Sequence, residues 1–159
     1  MSSKENKYTS ILSQVKGLLK HEDDLTANLG NITALLQDEL GFFWTGFYRI
    51  DKKINSLVLN IFSGPLACTK IAFGKGVCGE VWKNKNLQIV KNVDDHPNHI
   101  ACSSLSKSEI VVPISINNEV VGVLDIDSDK YSYFDEIDAK YLEELCNLIL
   151  VKYPNLFLI

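Results

Sequence analysis

The sequence predicts an α+β domain: one mostly antiparallel sheet, with two N-terminal helices and one C-terminal helix gathered on one face. Three observations carry this expectation. Residues before 41 and after 134 place apolar side chains at helical spacing. Between 42 and 127 the pattern changes to short apolar runs broken by Gly, Pro, Asn and Asp. The strand runs also come in adjacent pairs joined by short turns, which favours antiparallel hairpins over strand–helix–strand units.

At 159 residues the chain reads most simply as a single domain, residues 1–159, long enough to bury a full core. Its 46% hydrophobic and 23% charged content is that of an ordinary soluble protein. A net charge of -4 argues against a nucleic-acid surface. The apolar runs are too short to span a bilayer, and the polar start MSSKENKYTS lacks the apolar centre of a signal peptide. We therefore expect a cytoplasmic protein with free thiols. The four cysteines, Cys68, Cys78, Cys102 and Cys146, include no C-x2-C pair, which removes zinc ribbons and thioredoxin-type motifs.

Taken in order, Tyr8, Ile11, Leu12, Val15, Leu18 and Leu19 form one apolar helical stripe over residues 6–20. Leu25, Leu29, Ile32, Leu35, Leu36 and Leu40 form another over residues 24–40, with Asp23 or Asp24 as its cap. FFWTGFYRI and INSLVLNIFS flank the turn Asp51-Lys52-Lys53 and read as a β-hairpin. Trp44 and Tyr48, four residues apart, share a face of its first strand; they are either core rings or the wall of an apolar pocket.

After Gly64-Pro65 the chain becomes irregular through Cys68. Gly74 to Gly79 spell G-x-G-x-x-G, but the apolar run before it is very short and no acidic residue follows a clear parallel strand. A tight turn into a short helix is the better reading. Cys78 then lies in the first helical turn, where free amides and the helix dipole lower a thiol pKa. Leu87 to Val93 reads as a short strand. His96, His99 and Cys102 recur every three residues, yet Pro97 opposes the helix that would align them on a metal. No metal or cofactor is expected. The two histidines read as solvated loop residues, or as neighbours that stabilise a Cys102 thiolate.

Residues 109–116 and 120–127 are strands around Asn117-Asn118-Glu119. A two-residue turn would set Asp125 on the apolar face, so a three-residue turn with Asn118 or Glu119 left-handed is expected. Ile110, Val112, Ile114 and Ile116 then share a face with Val120, Gly122, Leu124 and Ile126. The opposite face carries Glu109, Asp125 and Asp127, with Glu109 across from Asp127. Carboxylates crowded this way repel unless a cation, donor or proton is shared, and a ligand ammonium would satisfy them. Pro113 suggests an edge or bulge. Asp135 caps a last helix through Ile137, Tyr141, Leu142, Leu145, Leu148 and Ile149, with Cys146 a buried, inert thiol beside that stripe.

Several of these motifs together resemble the free methionine-(R)-sulfoxide reductases, a family with a GAF-type fold. They are WTGFY at 44–48, ACTKIAFGKGVCG at 67–79, HIACSSLSKSEIVVPI at 99–114, GVLDIDS at 122–128 and FDEID at 134–138. The resemblance implies that Cys102 attacks the sulfoxide sulfur and becomes a sulfenic acid. It implies that Cys68 resolves it as a disulfide, and that Cys78 takes part in disulfide formation or recycling. Glu109, Asp125 and Asp127 would hold the substrate ammonium and engage the sulfoxide oxygen, with Glu109 or Asp127 as the proton source. Trp44 and Tyr48 would surround the methyl-sulfur end. Ser103 departs from the family run HIACDS or HIACDA. The implied reductant is thioredoxin, and the oligomeric state stays open between monomer and homodimer. The alternative is a non-enzymatic GAF-type module that binds a small ligand or senses redox state through its thiols; the absence of an output domain speaks against it.

Overall fold

The computed structural model describes residues 1–158. Helix α1 (Ser3–His21) opens with a capping box between Ser2 and Glu5. Asp24 accepts from the Ala27 amide to cap α2 (Leu25–Leu40), which ends at Gly41 with φ 66°. Strands β1 (Trp44–Asp51) and β2 (Ser56–Ser63) form the first hairpin, followed by the short strand β3 (Lys70–Ala72). Helix α3 (Gly76–Asn84), strand β4 (Gln88–Val90), and the hairpin β5 (Ser108–Ile116) and β6 (Glu119–Ser128) follow. Helix α4 (Glu136–Lys152) is capped by Asp135, again with a capping box.

The six strands run in the order β3-β2-β1-β6-β5-β4, every pair antiparallel. The stripes of α1, α2 and α4 share one core on one sheet face, with α2 against β1 and β2, α4 against β5, and α1 against α2 and α4. There Tyr8, Ile11, Leu29, Ile32, Leu36, Leu142 and Leu145 pack with Phe47, Ile110, Val112, Ile114, Leu124 and Ile126. Each of these buried side chains stabilises the fold by roughly 2 kcal/mol. Tyr8 also donates to Asp138 at 2.6 Å, and Lys4 pairs with the same carboxylate, tying α1 to α4. The opposite face carries Trp44, Tyr48, Val111 and Val123, covered by Val77, Cys78 and Val81 of α3. This second face holds the site.

Three local expectations change. The last hairpin turns through two residues, Asn117 and Asn118, both left-handed at φ 53° and 63°, as a mirror-image hairpin turn requires. A bulge after Ile114 supplies the one-residue correction, so Glu109 still pairs with Asp127 and Ile110 with Ile126. Beyond that bulge the faces exchange: Val121 joins the helix-side core, and Val120, expected there, joins the other. Pro113 lies past the end of the β4 pairing, where no partner needs its missing N–H. The run 87–93 gives only Gln88–Val90 as strand before a single 3-10 turn, Val93–Asp95. Lys70–Ala72, for which no strand was expected, pairs with β2.

Candidate active site

The hairpin register places three carboxylates on one face. Glu109 and Asp127 are direct partners across β5 and β6, and Asp125 lies one pleat further along β6. On the other side of β6, Trp44 pairs with Asp127 and Gly46 with Asp125. Because β1 alternates, Trp44, Gly46 and Tyr48 point to the same side as the acids. One pocket is therefore lined by Trp44, Tyr48, Cys78, Cys102, Glu109, Asp125 and Asp127, together with His99 and Ser106. The choice left open for Trp44 and Tyr48 resolves as both: each is at least 95% buried, and each walls the pocket.

Cys68 and Cys102 form a disulfide with their Cα atoms 5.4 Å apart. It joins the loop after β2 to the loop before β5 at the pocket mouth, where both residues are half-buried. The aromatic wall holds the Cys68 loop. Tyr48 Oη donates to the Cys68 carbonyl at 2.8 Å, and Trp44 Nε1 donates to the Pro65 carbonyl at 3.1 Å. Burial, with the charges of Asp125, Cys78 and Asp127 nearby, pushes the Tyr48 hydroxyl far up, so it stays a donor.

The acids are crowded as well as buried. Burial raises Asp125 to about 6, a rise held in check by the neighbouring Glu109 carboxyl and Cys78 thiol. Burial raises Glu109 well above the usual carboxylate range, and the charges of Asp125 and Asp127 raise it further. Asp127 is raised by burial and by the Asp125 charge, against the hydrogen bond that Ser106 Oγ donates to it at 2.7 Å. Asp125 Oδ1 has no hydrogen-bond partner among the described residues. Such a set stores one or more protons near neutral pH and presents a free acceptor to a donor-rich ligand.

Cys78 is indeed in the first turn of α3. Its pKa, however, is raised well above the thiol norm, the reverse of the expectation. Burial is the largest cause, followed by the charges of Asp125, Glu109 and Asp127, and a helix start cannot outweigh complete desolvation beside three acids. Its sulfur and one oxygen each of Glu109 and Asp125 lie within 4.8 Å of one another, the set closest to a metal-ligand grouping among the described residues. The His96, His99, Cys102 run does not converge. His96 contacts Glu80, His99 Nε2 lies 4.0 Å from Glu109, and Cys102 is in the disulfide. Burial and the His96 charge lower the His99 pKa, favouring its neutral form. Cys146 is buried between α4 and the core, with its thiol pushed up to about 12 by burial and then by the Glu143 charge.

Two parts of the site lay outside the sequence reading. Ser106 could have been found as a hydroxyl just before the strand bearing Glu109. Gly46 gave no such cue. A Cβ there would lie 2.6 Å from Phe62 Cβ and 2.7 Å from the indole Cζ3 of Trp44, so its absence lets the indole fold across β1. The ring stacks between Phe62, at 5.5 Å, and Tyr48, at 6.0 Å.

A profile of the GAF domain matches residues 22–151. The chain is 52% identical to GAF domain-containing protein A of Dictyostelium discoideum, covering 92% of each. It is 40% identical to the free methionine-R-sulfoxide reductase of Saccharomyces cerevisiae, covering 92% of this chain and 86% of that one. The chain belongs to the free methionine-R-sulfoxide reductase family. Its fold agrees with the X-ray structure of the Neisseria meningitidis free methionine-R-sulfoxide reductase in complex with its substrate. The TM-score is 0.93 at 47% identity, over 97% of this chain and 92% of that one. Within this family the expected GAF-type architecture is borne out, helices on one face and acids on the other. No helix among the described residues is long and apolar enough to cross a membrane.

Proposed function

We propose that this protein reduces free L-methionine-(R)-sulfoxide to L-methionine, with residues 1–159 acting as one domain. The observation that carries the reading is the Cys68–Cys102 disulfide at the mouth of an acidic, aromatic-walled pocket, in a chain similar to reductases of that name. A free amino acid brings an α-ammonium group, which buried carboxylates can satisfy; a methionine within a protein chain has none. The apolar end of the substrate fits against Trp44 and Tyr48.

The chemistry follows from the residue types. The Cys102 thiolate attacks the sulfoxide sulfur, and Glu109 or Asp127, protonated by crowding, delivers a proton to the oxygen. The oxygen passes to Cys102 as a sulfenic acid, and methionine leaves. The Cys68 thiol attacks that sulfenic acid, water departs, and the disulfide forms. Two electrons and two protons from a dithiol, which we assign to thioredoxin, restore both thiols in a reducing, cytoplasmic setting. We assign Cys78 a reserve role in disulfide recycling, for which its buried, protonated thiol must first be exposed and ionised.

The test is NADPH consumption with thioredoxin, thioredoxin reductase and either epimer of free methionine sulfoxide, beside a peptide-bound sulfoxide. Turnover of the free (R)-epimer is expected, and turnover of the peptide or (S)-epimer alone would refute the reading. Gly46→Ala should force the indole into the pocket. We expect KM to rise about tenfold with kcat less affected, and overpacking to destabilise the fold by about 1–3 kcal/mol. Steady-state kinetics and thermal melts of the variant check both.

A further inference from the structure

The chemistry above leaves unused the polar run 94–99 and the glycine-rich turn before α3, and the structure brings these two motifs together. Glu80, on α3, receives two side chains from the loop that leads to Cys102. His96 Nε2 lies 2.7 Å from one carboxylate oxygen, and Asn98 Nδ2 donates to the other at 3.0 Å. The same Asn98 amide donates to the Gly74 carbonyl at 2.9 Å. Two residues on, Ile100 lies over Gly76: a Cβ at that glycine would stand 3.2 Å from Ile100 Cδ1, and its φ is +63°. The G-x-G-x-x-G turn is thus a seat for a loop, with Gly74 accepting, Gly76 making room and Gly79 packed under Ala72.

We propose that Glu80 is a positioning residue for Cys102, its carboxylate clasping His96 and Asn98 so that the nucleophile loop stays over the acids once the Cys68–Cys102 bond is reduced. In the oxidised protein the disulfide itself ties that loop down. Attack on a sulfoxide requires the reduced protein, in which this tie is gone and the α3 seat remains. A carboxylate suits the task because each oxygen accepts from a different donor. Burial opposes its ionisation, yet the hydrogen bonds from Asn98 and His96 bring its pKa below the usual value, so it remains an acceptor at neutral pH. The proposal rests on Cys102 being the nucleophile.

The test compares reduced wild type, Glu80→Ala, Glu80→Gln and Asn98→Ala by iodoacetamide labelling, with each cysteine followed by mass spectrometry, alongside turnover of free methionine-(R)-sulfoxide. In Glu80→Ala, Cys102 should label about tenfold faster while buried Cys78 and Cys146 label as in wild type, and kcat/KM should fall about tenfold. Glu80→Gln, which keeps an acceptor for Asn98, should recover most of both. Wild-type labelling and turnover in Glu80→Ala would overturn the proposal. If Glu80→Ala exposes Cys78 and Cys146 by unfolding, Asn98→Ala decides: selective Cys102 labelling supports the clasp, and wild-type behaviour removes it. If wild type fails to turn over the sulfoxide while the labelling contrast persists, the functional reading falls and the seat stands.

Discussion

Cys102→Ser abolishes turnover, with an expected loss of about 1,000-fold or more, because a hydroxyl at neutral pH is a far weaker nucleophile toward sulfur and cannot form the sulfenic acid. Binding should survive, since the groups assigned to the ammonium and the methyl-sulfur end, Glu109, Asp125, Asp127, Trp44 and Tyr48, lie on the sheet and not on the Cys102 loop. Calorimetry with free methionine-(R)-sulfoxide should therefore give an affinity close to that of the reduced wild type. Cys68→Ser behaves differently: it should release one methionine per chain, then stop as a sulfenic acid that dimedone traps on Cys102. Turnover by Cys102→Ser within tenfold of wild type would remove Cys102 from its role.

Glu109→Gln should lower turnover by about 100-fold, through loss of a proton source and of an ammonium contact, and at the same time stabilise the substrate-free protein above neutral pH. The sign follows from the raised carboxyl pKa values. An unfolded carboxyl titrates near ~4, whereas Asp125 is raised to about 6 and Glu109 and Asp127 are raised well above their usual range. The native state therefore keeps protons that the unfolded chain has released. Stability from these groups is complete below the unfolded values and declines as pH rises through the native ones. Glutamine matches protonated Glu109 in shape and cannot ionise. Melts of Glu109→Gln should run roughly 3 °C above wild type on the alkaline side and converge with it on the acid side. Equal shifts at both pH values would show that crowding is not the cause. Saturating substrate should shrink the alkaline difference, because its ammonium offsets the wild-type charge.

The parts of the molecule that were legible in the sequence are those in which a local pattern has one physical solution. The stripes on α1, α2 and α4 could only face a core. In the last hairpin, a one-residue slip would have set Asp125 among aliphatic side chains, so the pairing of Glu109 with Asp127 was fixed by the cost of burying a lone charge. The means was not legible: alternation cannot distinguish a three-residue turn from a two-residue turn plus a bulge, and Val120 changed faces as a result. Three residues of β3 are too few to show a period. Cys78 was misjudged because its thiol is buried and, beyond that, faces acids from β5 and β6, neither of which a helix-end rule contains. The same holds for Gly46, whose value depends on where an indole two residues away comes to rest.

The sheet order has a consequence for how the molecule comes into being. Each hairpin can close within its own stretch of chain, but β1 and β6 meet in the middle of the sheet and join segments about eighty residues apart, the longest-range strand pairing in the sheet. The aromatic wall belongs to one side of that seam and the acids to the other. On the ribosome, the first hairpin and its helices are made while the acids are still to be synthesised, so nothing resembling the pocket exists until the last hairpin docks. Catalytic competence therefore waits on the second half of the chain.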